Sequence, residues 1–202
     1  MEITIRNAAL SDVPSLSSLL RSIGTFRQIN TESHEATLFR VESHLKMCLS
    51  DESHLVLIAE DDSQALKGYV SVHWLPYLFL AGPEGYVSEL FVSADARGNG
   101  IGGQLLDAVV RSAKARGSAR LMLVNIKDRE SYKRRFYSKH AWEERQDVAQ
   151  LRALSLTENE RNRHRAERQT ARNNISLEQP PKCVGGMLSA GVRFAPMIRR
   201  RN

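Results

Sequence analysis

Polar and apolar residues alternate over residues 2–6, the period of a strand with one buried face. Val13, Leu16, Leu20 and Ile23 then recur on one helical face, with Ser11 as the predicted N-cap, Pro14 tolerated in the first turn and Gly24 ending the run. A second helix is predicted from about Thr31. Glu32 and Glu35 sit near the positive end of its dipole, and Leu38, Val41, Leu45 and Leu49 share one side. Three strand-like segments follow at residues 54–59, 68–74 and 86–92, the first two separated by the acidic turn at Glu60. Ile101, Leu105, Val109 and Ala113 recur every four residues up to Gly117 and predict a third long helix. Residues 121–124 form a short apolar strand, and residues 129–139 read as a basic helix before Trp142. The order β, α, α, β, β, β, α, β, α, β predicts an α+β domain with a mixed, mostly antiparallel sheet. The three-strand meander is antiparallel, while residues 86–92 and 121–124 flank a crossover helix.

A chain of 202 residues, 42% hydrophobic and 26% charged, has room for one core and an appendage. The longest apolar stretch, residues 69–81, is broken by Ser71, His73 and Pro76 and falls short of the roughly 18 apolar residues that a membrane span needs. Glu2 and Arg6 stand where a secretory leader has its basic and apolar regions. Cys48 and Cys183 make neither a metal-ligand pair nor a disulfide framework. The histidines show no metal-ligand spacing, so no metal site is expected. These features together point to a cytoplasmic protein without membrane contact. The formal net charge of +6 is unevenly spread: residues 1–142 carry 17 Lys and Arg against 16 Asp and Glu, whereas residues 143–202 carry 12 against 7. The basicity therefore belongs to a C-terminal extension, expected over residues 157–202 to be poorly ordered, and the domain itself gives no signature of a nucleic-acid surface.

The chemistry concentrates at Arg97-Gly98-Asn99-Gly100-Ile101-Gly102-Gly103, between a strand and the N-terminus of an amphipathic helix. Backbone N–H groups beside small residues, the helix dipole and the Arg97 charge make a site for a pyrophosphate. A dinucleotide fingerprint is disfavoured because residues 93–97 intervene after the strand. A Walker A loop is excluded because no Lys-Ser/Thr follows the glycines. A turn whose glycines only permit tight packing is the remaining alternative. Arg97, Gly100 and Gly102 match Arg/Gln-x-x-Gly-x-Gly/Ala, and with Leu90-Phe91-Val92 before them the sequence over roughly residues 2–145 resembles the GNAT N-acetyltransferases. That resemblance implies a GNAT-like sheet of six to seven strands flanked by about four helices, in a domain covering residues 2–156. It also implies that acetyl-CoA is the cosubstrate. Its pantetheine arm is expected against the backbone of Leu90, Phe91 and Val92, and its pyrophosphate on the amides of Gly98, Asn99, Gly100, Ile101, Gly102 and Gly103 beside Arg97.

Acetyl transfer from a thioester to an amine needs a neutral amine, stabilisation of a developing oxyanion and a proton for the departing thiolate. Residues 136–142 resemble the family's Phe-Tyr-x-x-x-Gly-Phe. This makes Tyr137 the expected general acid, a phenol that stays protonated at neutral pH. Ala141 departs from the family glycine, and Glu130 stands where many members have Asn. The main-chain N–H of Val92 is the implied oxyanion donor. Glu89 is the expected base, because strand alternation puts it on the face of Val87 and Phe91, where partial burial raises a carboxyl pKa. A water chain is the alternative base, Glu84 a second carboxylate, and His73 reads as structural. The resemblance implies that the acceptor, a small-molecule or peptide amine, lies between residues 22–30 and 74–85, where Trp74, Tyr77 and Phe79 form either an aromatic wall or a cover over the core. The rival function is a catalytically inactive acyl-CoA-binding regulatory module. The last strand is expected at residues 147–156 or 192–198; without one, the exposed sheet edge is open to a second subunit as a homodimer.

Overall fold

A computed structural model of the protein describes residues 2–151. β1 (Ile3–Asn7) pairs antiparallel with β2 (His54–Asp61), β2 with β3 (Leu66–Leu75), and β3 with β4 (Glu84–Val92). β5 (Arg120–Leu123) then joins β4 in parallel, so the strands lie in sequence order in one mixed sheet. The described residues therefore hold five strands where six to seven were expected. Residues 147–151 form no strand, and the rest of the candidate last strands, residues 152–156 and 192–198, lies outside the described residues. The basic extension over residues 157–202 lies outside them too. All the elements fall in one unit, Met1–Arg145, which is separate from Gln146–Asn202.

The first long helix, α1 (Val13–Ile23), starts one residue later than its predicted cap implies. Asp12, not Ser11, holds the N-cap position, with its carboxylate turned back onto Arg6 (2.8 and 2.9 Å) and the Ala9 N–H (2.7 Å). Gly24 ends the helix at φ 69°, as its position predicts. The short α2 (Arg27–Thr31) has no counterpart in the sequence reading, since five residues are too few to show a helical period. α3 (His34–Cys48) is capped by Ser33, whose hydroxyl accepts from the Ala36 N–H at 3.1 Å. α4 (Ile101–Ala115) is the crossover helix. The predicted helix over residues 129–139 is shorter than its composition suggests. α5 (Glu130–Lys133) stops where Arg135 takes φ 53°, and a turn of 3₁₀ helix, Ser138–His140, follows.

Both sheet faces are covered. α4 buries Ile101, Leu105 and Val109 against Leu57, Val70, Val72, Trp74 and Val87. On the other face, α1 and α3 bury Leu16, Leu19, Val41 and Leu45 against Val56, Ile58 and Tyr69. A sheet buried on two sides has little reason to alternate, and this is why the strand segments read as near-continuous apolar runs. Trp74 faces α4 under the guanidinium of Arg116, 5.2 Å from its ring centre, so it is core and not part of an aromatic wall. Tyr77 and Phe79 remain exposed, edge to face at 5.5 Å. At the start of β4, the buried Glu84 is ion-paired to Arg120, its cross-strand neighbour on β5. A carboxylate held in this way is structural, not a spare base.

One irregularity decides the site. The β3–β4 register runs Ser71 opposite Glu89, then Val72 opposite Val87, so Ser88 is an extra residue in β4. A bulge moves everything beyond it to the opposite face. Val87, Leu90 and Val92 accordingly belong to the α4 side, and Phe91 to the α1/α3 side. Glu89 shares the face of Phe91 but not that of Val87, contrary to strict alternation.

Candidate active site

The glycine loop rises from the end of β4 and enters α4. Gly100 is the N-cap of α4 at φ 77°, and Gly98 stands at φ 86°. A Cβ on either glycine would meet nothing within 4 Å, so the surrounding space is open and the left-handed backbone is what calls for glycine. No side chain caps α4, and its first internal hydrogen bond runs from the Gln104 N–H to the Gly100 carbonyl. The amides of Ile101, Gly102 and Gly103 therefore have no acceptor within the helix. Arg97 is anchored beside them through Nε to the Val92 carbonyl (3.2 Å). Uncapped amides, a helix dipole, a fixed guanidinium and open space at two glycines fit a pyrophosphate. Gly102 and Gly103 serve a different need. A Cβ at Gly102 would lie 3.0 Å from the Phe136 ring, and one at Gly103 2.4 Å from the His140 ring.

Those contacts bring residues 136–140 onto the first turn of α4. Tyr137 lies in this segment, its ring edge-on to Phe136 (5.0 Å) and to Trp142 (6.3 Å). Burial raises the pKa of its phenol, which keeps it protonated through neutral pH. Ala141, in the place of the family glycine, adopts φ 61°. Glu130, in the place of the usual Asn, is exposed and pairs with Lys133 at 3.1 Å. β4 and β5 pair only from Glu84 to Val87, so the backbone edge of Leu90, Phe91 and Val92 on that side has no strand partner among the described residues.

On the other face, Glu89 lines a cavity of about 100 Å³ between the sheet and helices α1 and α3. Solvent reaches Glu89 from one side while the cavity walls crowd its carboxylate, and this loss of hydration raises its pKa. The nearby Tyr69 hydroxyl, His44 and Arg40 oppose the rise. Phe26, just before α2, stands edge-on to Phe91 at 5.4 Å and places part of residues 22–30 over this face. His73 is tied to the bulge, Nε2 to Ser88 Oγ at 3.0 Å, and its ring meets His54 edge-on at 4.5 Å. Burial and the neighbouring His54 lower the His73 pKa, so it stays neutral around neutral pH. Tyr69, Arg40 and His44 escaped the sequence reading. Only the packing of α3 on β3 brings them together, and no local pattern announces it. Among the described residues no group of His, Cys, Asp or Glu is arranged to hold a metal ion, and no helix is long and apolar enough to cross a membrane.

A sheet covered by helices on both faces, with an uncapped glycine loop beside an open strand edge, is an arrangement suited to a ligand that carries a pyrophosphate. The Acetyltransferase (GNAT) family model matches residues 20–142, and the chain belongs to that family, whose members use acetyl-CoA as cosubstrate. Among solved structures, a transcriptional regulator from Bacillus halodurans C-125 is similar at 22% identity and a TM-score of 0.64, covering 75% of this chain and 100% of the other. The ribosomal-protein-alanine N-acetyltransferase from Brucella melitensis biovar Abortus 2308 shares 24% identity at a TM-score of 0.58, with 75% and 100% coverage. An aminoglycoside acetyltransferase from an uncultured soil metagenomic sample, in complex with sisomicin, shares 20% identity at a TM-score of 0.61, covering 76% and 97%. At such identities the likeness is one of fold. No curated protein sequence gives a match.

Proposed function

We propose that the protein is an acetyl-CoA-dependent N-acetyltransferase that moves the acetyl group to a primary amine of a small molecule or peptide by direct attack in a ternary complex. The observation that carries this reading is the Ser88 bulge: it turns Glu89 into the α1/α3 cavity while Leu90 and Val92 stay beside the open strand edge. The amine and the coenzyme then approach β4 from different sides and meet at one point of the strand.

Bound acetyl-CoA supplies the acetyl thioester. The amides of Gly98, Asn99, Gly100, Ile101, Gly102 and Gly103, with Arg97, hold its pyrophosphate, and the backbone of Leu90, Phe91 and Val92 aligns its pantetheine arm. Glu89 accepts a proton from the ammonium form of the acceptor, since crowding has made its carboxylate a better base than an exposed one. The amine nitrogen forms its bond to the acetyl carbon as the carbon–sulfur bond breaks, and the second proton of that nitrogen passes to solvent as the neutral amide forms. The Val92 N–H donates to the carbonyl oxygen, and the Tyr137 phenol gives its proton to the leaving sulfur. Solvent exchange restores both side chains.

Calorimetric titration with acetyl-CoA tests the coenzyme site. Micromolar binding that is lost when Gly100 and Gly102 are both replaced by Glu supports it, and absence of binding by the folded wild type overturns it. Release of CoA with amine acceptors tests the transfer, whereas binding without turnover of any amine makes the chain an acyl-CoA-binding module.

A further inference from the structure

Tyr69 and Glu89 meet across β3 and β4. The register sets Ser71 opposite Glu89 and Tyr69 opposite Phe91, so Tyr69 is the diagonal neighbour of Glu89, and both line the cavity on the α1/α3 face. Diagonal neighbours lie roughly 7–8 Å apart, a gap that a tyrosine and a glutamate close together. Tyr69 is only 4% exposed, and its ring packs against Phe91 at 5.8 Å between centres. Its hydroxyl has the Glu89 carboxylate as its acceptor. A phenol fixed by the core in this way does not follow the carboxylate; the carboxylate settles on the phenol.

We propose that Tyr69 is the positioning residue of the base: its buried hydroxyl holds one oxygen of the Glu89 carboxylate and leaves the other to the incoming amine. The inference rests on the transferase reading above. Burial alone would favour the neutral carboxyl, which has no use as a base, and a donor fixed on the carboxylate favours the ionised form. The Tyr69 hydroxyl opposes the effect of burial more than the charges of His44 and Arg40 do. Arg40 is divided between this cavity and its ion pair with Glu32. Cys48, also on α3, keeps a neutral thiol, because burial and then the charge of Glu89 push its pKa up. From α1 the cavity receives the apolar Leu16 and Leu20. Tyr69 itself stays protonated, since burial and then the Glu89 charge push its pKa far up, so it donates without competing for the proton of the amine.

The test follows the Glu89 carboxyl by ¹³C NMR titration of the full chain without ligands, its signal assigned by its loss in Glu89→Gln. In Tyr69→Phe the carboxyl should titrate at a higher pH than in wild type, because a donor to the charged form is gone. Replacing Tyr69 by 3-fluorotyrosine, a stronger donor of nearly the same shape, should move the titration the other way and keeps the test open if the Phe variant does not fold. Turnover of Tyr69→Phe should fall at least ~10-fold on the acid limb of the pH–rate profile and less than ~3-fold on the plateau above it. A titration unmoved by both replacements, with a rate lowered equally at every pH, overturns the positioning role and leaves the transferase reading intact. Titrations that move as expected in a protein that acetylates no amine uphold the Tyr69–Glu89 pair and remove the transferase reading.

Discussion

Glu89 carries a cost in stability that its proposed role explains. Its folded-state pKa lies above the ordinary glutamate value. The fold therefore favours the protonated side chain, and that contribution is complete in acid and lost as pH rises through the raised pKa. Glu89→Gln should leave the melting temperature unchanged at low pH and raise it above that pKa. In the same variant turnover should fall roughly 10²- to 10⁴-fold, and the acid limb of the pH–rate profile should disappear. A melting temperature that drops at neutral pH would show that the carboxylate is instead held by favourable contacts. Ala141 is a second position where the local backbone has a price, since a non-glycine residue at φ 61° is strained. Ala141→Gly should stabilise the protein by about 0.5–1 kcal/mol in denaturant melts, because relief of strain outweighs the freedom gained by the unfolded chain. Tyr137, four residues away, should keep its ring contacts and the enzyme its rate.

The strands and helices divide by how much of their geometry is local. The period-four repeat at Ile101, Leu105, Val109 and Ala113 marked α4 directly, and Leu105, fully buried between α4 and the sheet, should cost about 2–5 kcal/mol when replaced by Ala in a thermal or chemical melt. The meander and the parallel β4–β5 pair also followed from the order of apolar segments. Other features did not. Val87, Leu90, Phe91 and Val92 are all apolar, so the sequence of β4 gives no clue to where its faces exchange; the Ser88 bulge is set by pairing with β3, some fifteen residues back. The break after α5 was hidden in the same way. Arg135 is a good helix former by composition, but Phe136 and His140 are drawn onto Gly102 and Gly103, and the chain must turn to reach them. The glycine loop, by contrast, was legible because positive φ and close approach are demands that only glycine meets.

Charge, too, has a distribution over the chain. With residues 1–142 nearly balanced, the proposed coenzyme site draws on the local field at Arg97 and the α4 N-terminus instead of a global positive potential. Removal of residues 160–202 is accordingly expected to leave acetyl-CoA affinity and turnover within about twofold of the full chain, measured by calorimetry and CoA release. A tenfold loss would assign the C-terminal residues to the site. The same comparison at low and high salt separates a specific contribution from simple attraction, because only the latter fades with ionic strength.

The bulge at Ser88 also has a kinetic consequence. In the proposed arrangement the amine enters over the α1/α3 face of β4 while the coenzyme lies along the open edge of the strand, so the two have separate doors. Neither traveller needs to leave before the other enters, so no covalent acyl-enzyme has to wait between them. Lines of reciprocal velocity should converge instead of running parallel, and spent CoA should compete with acetyl-CoA while leaving the door for the amine unobstructed.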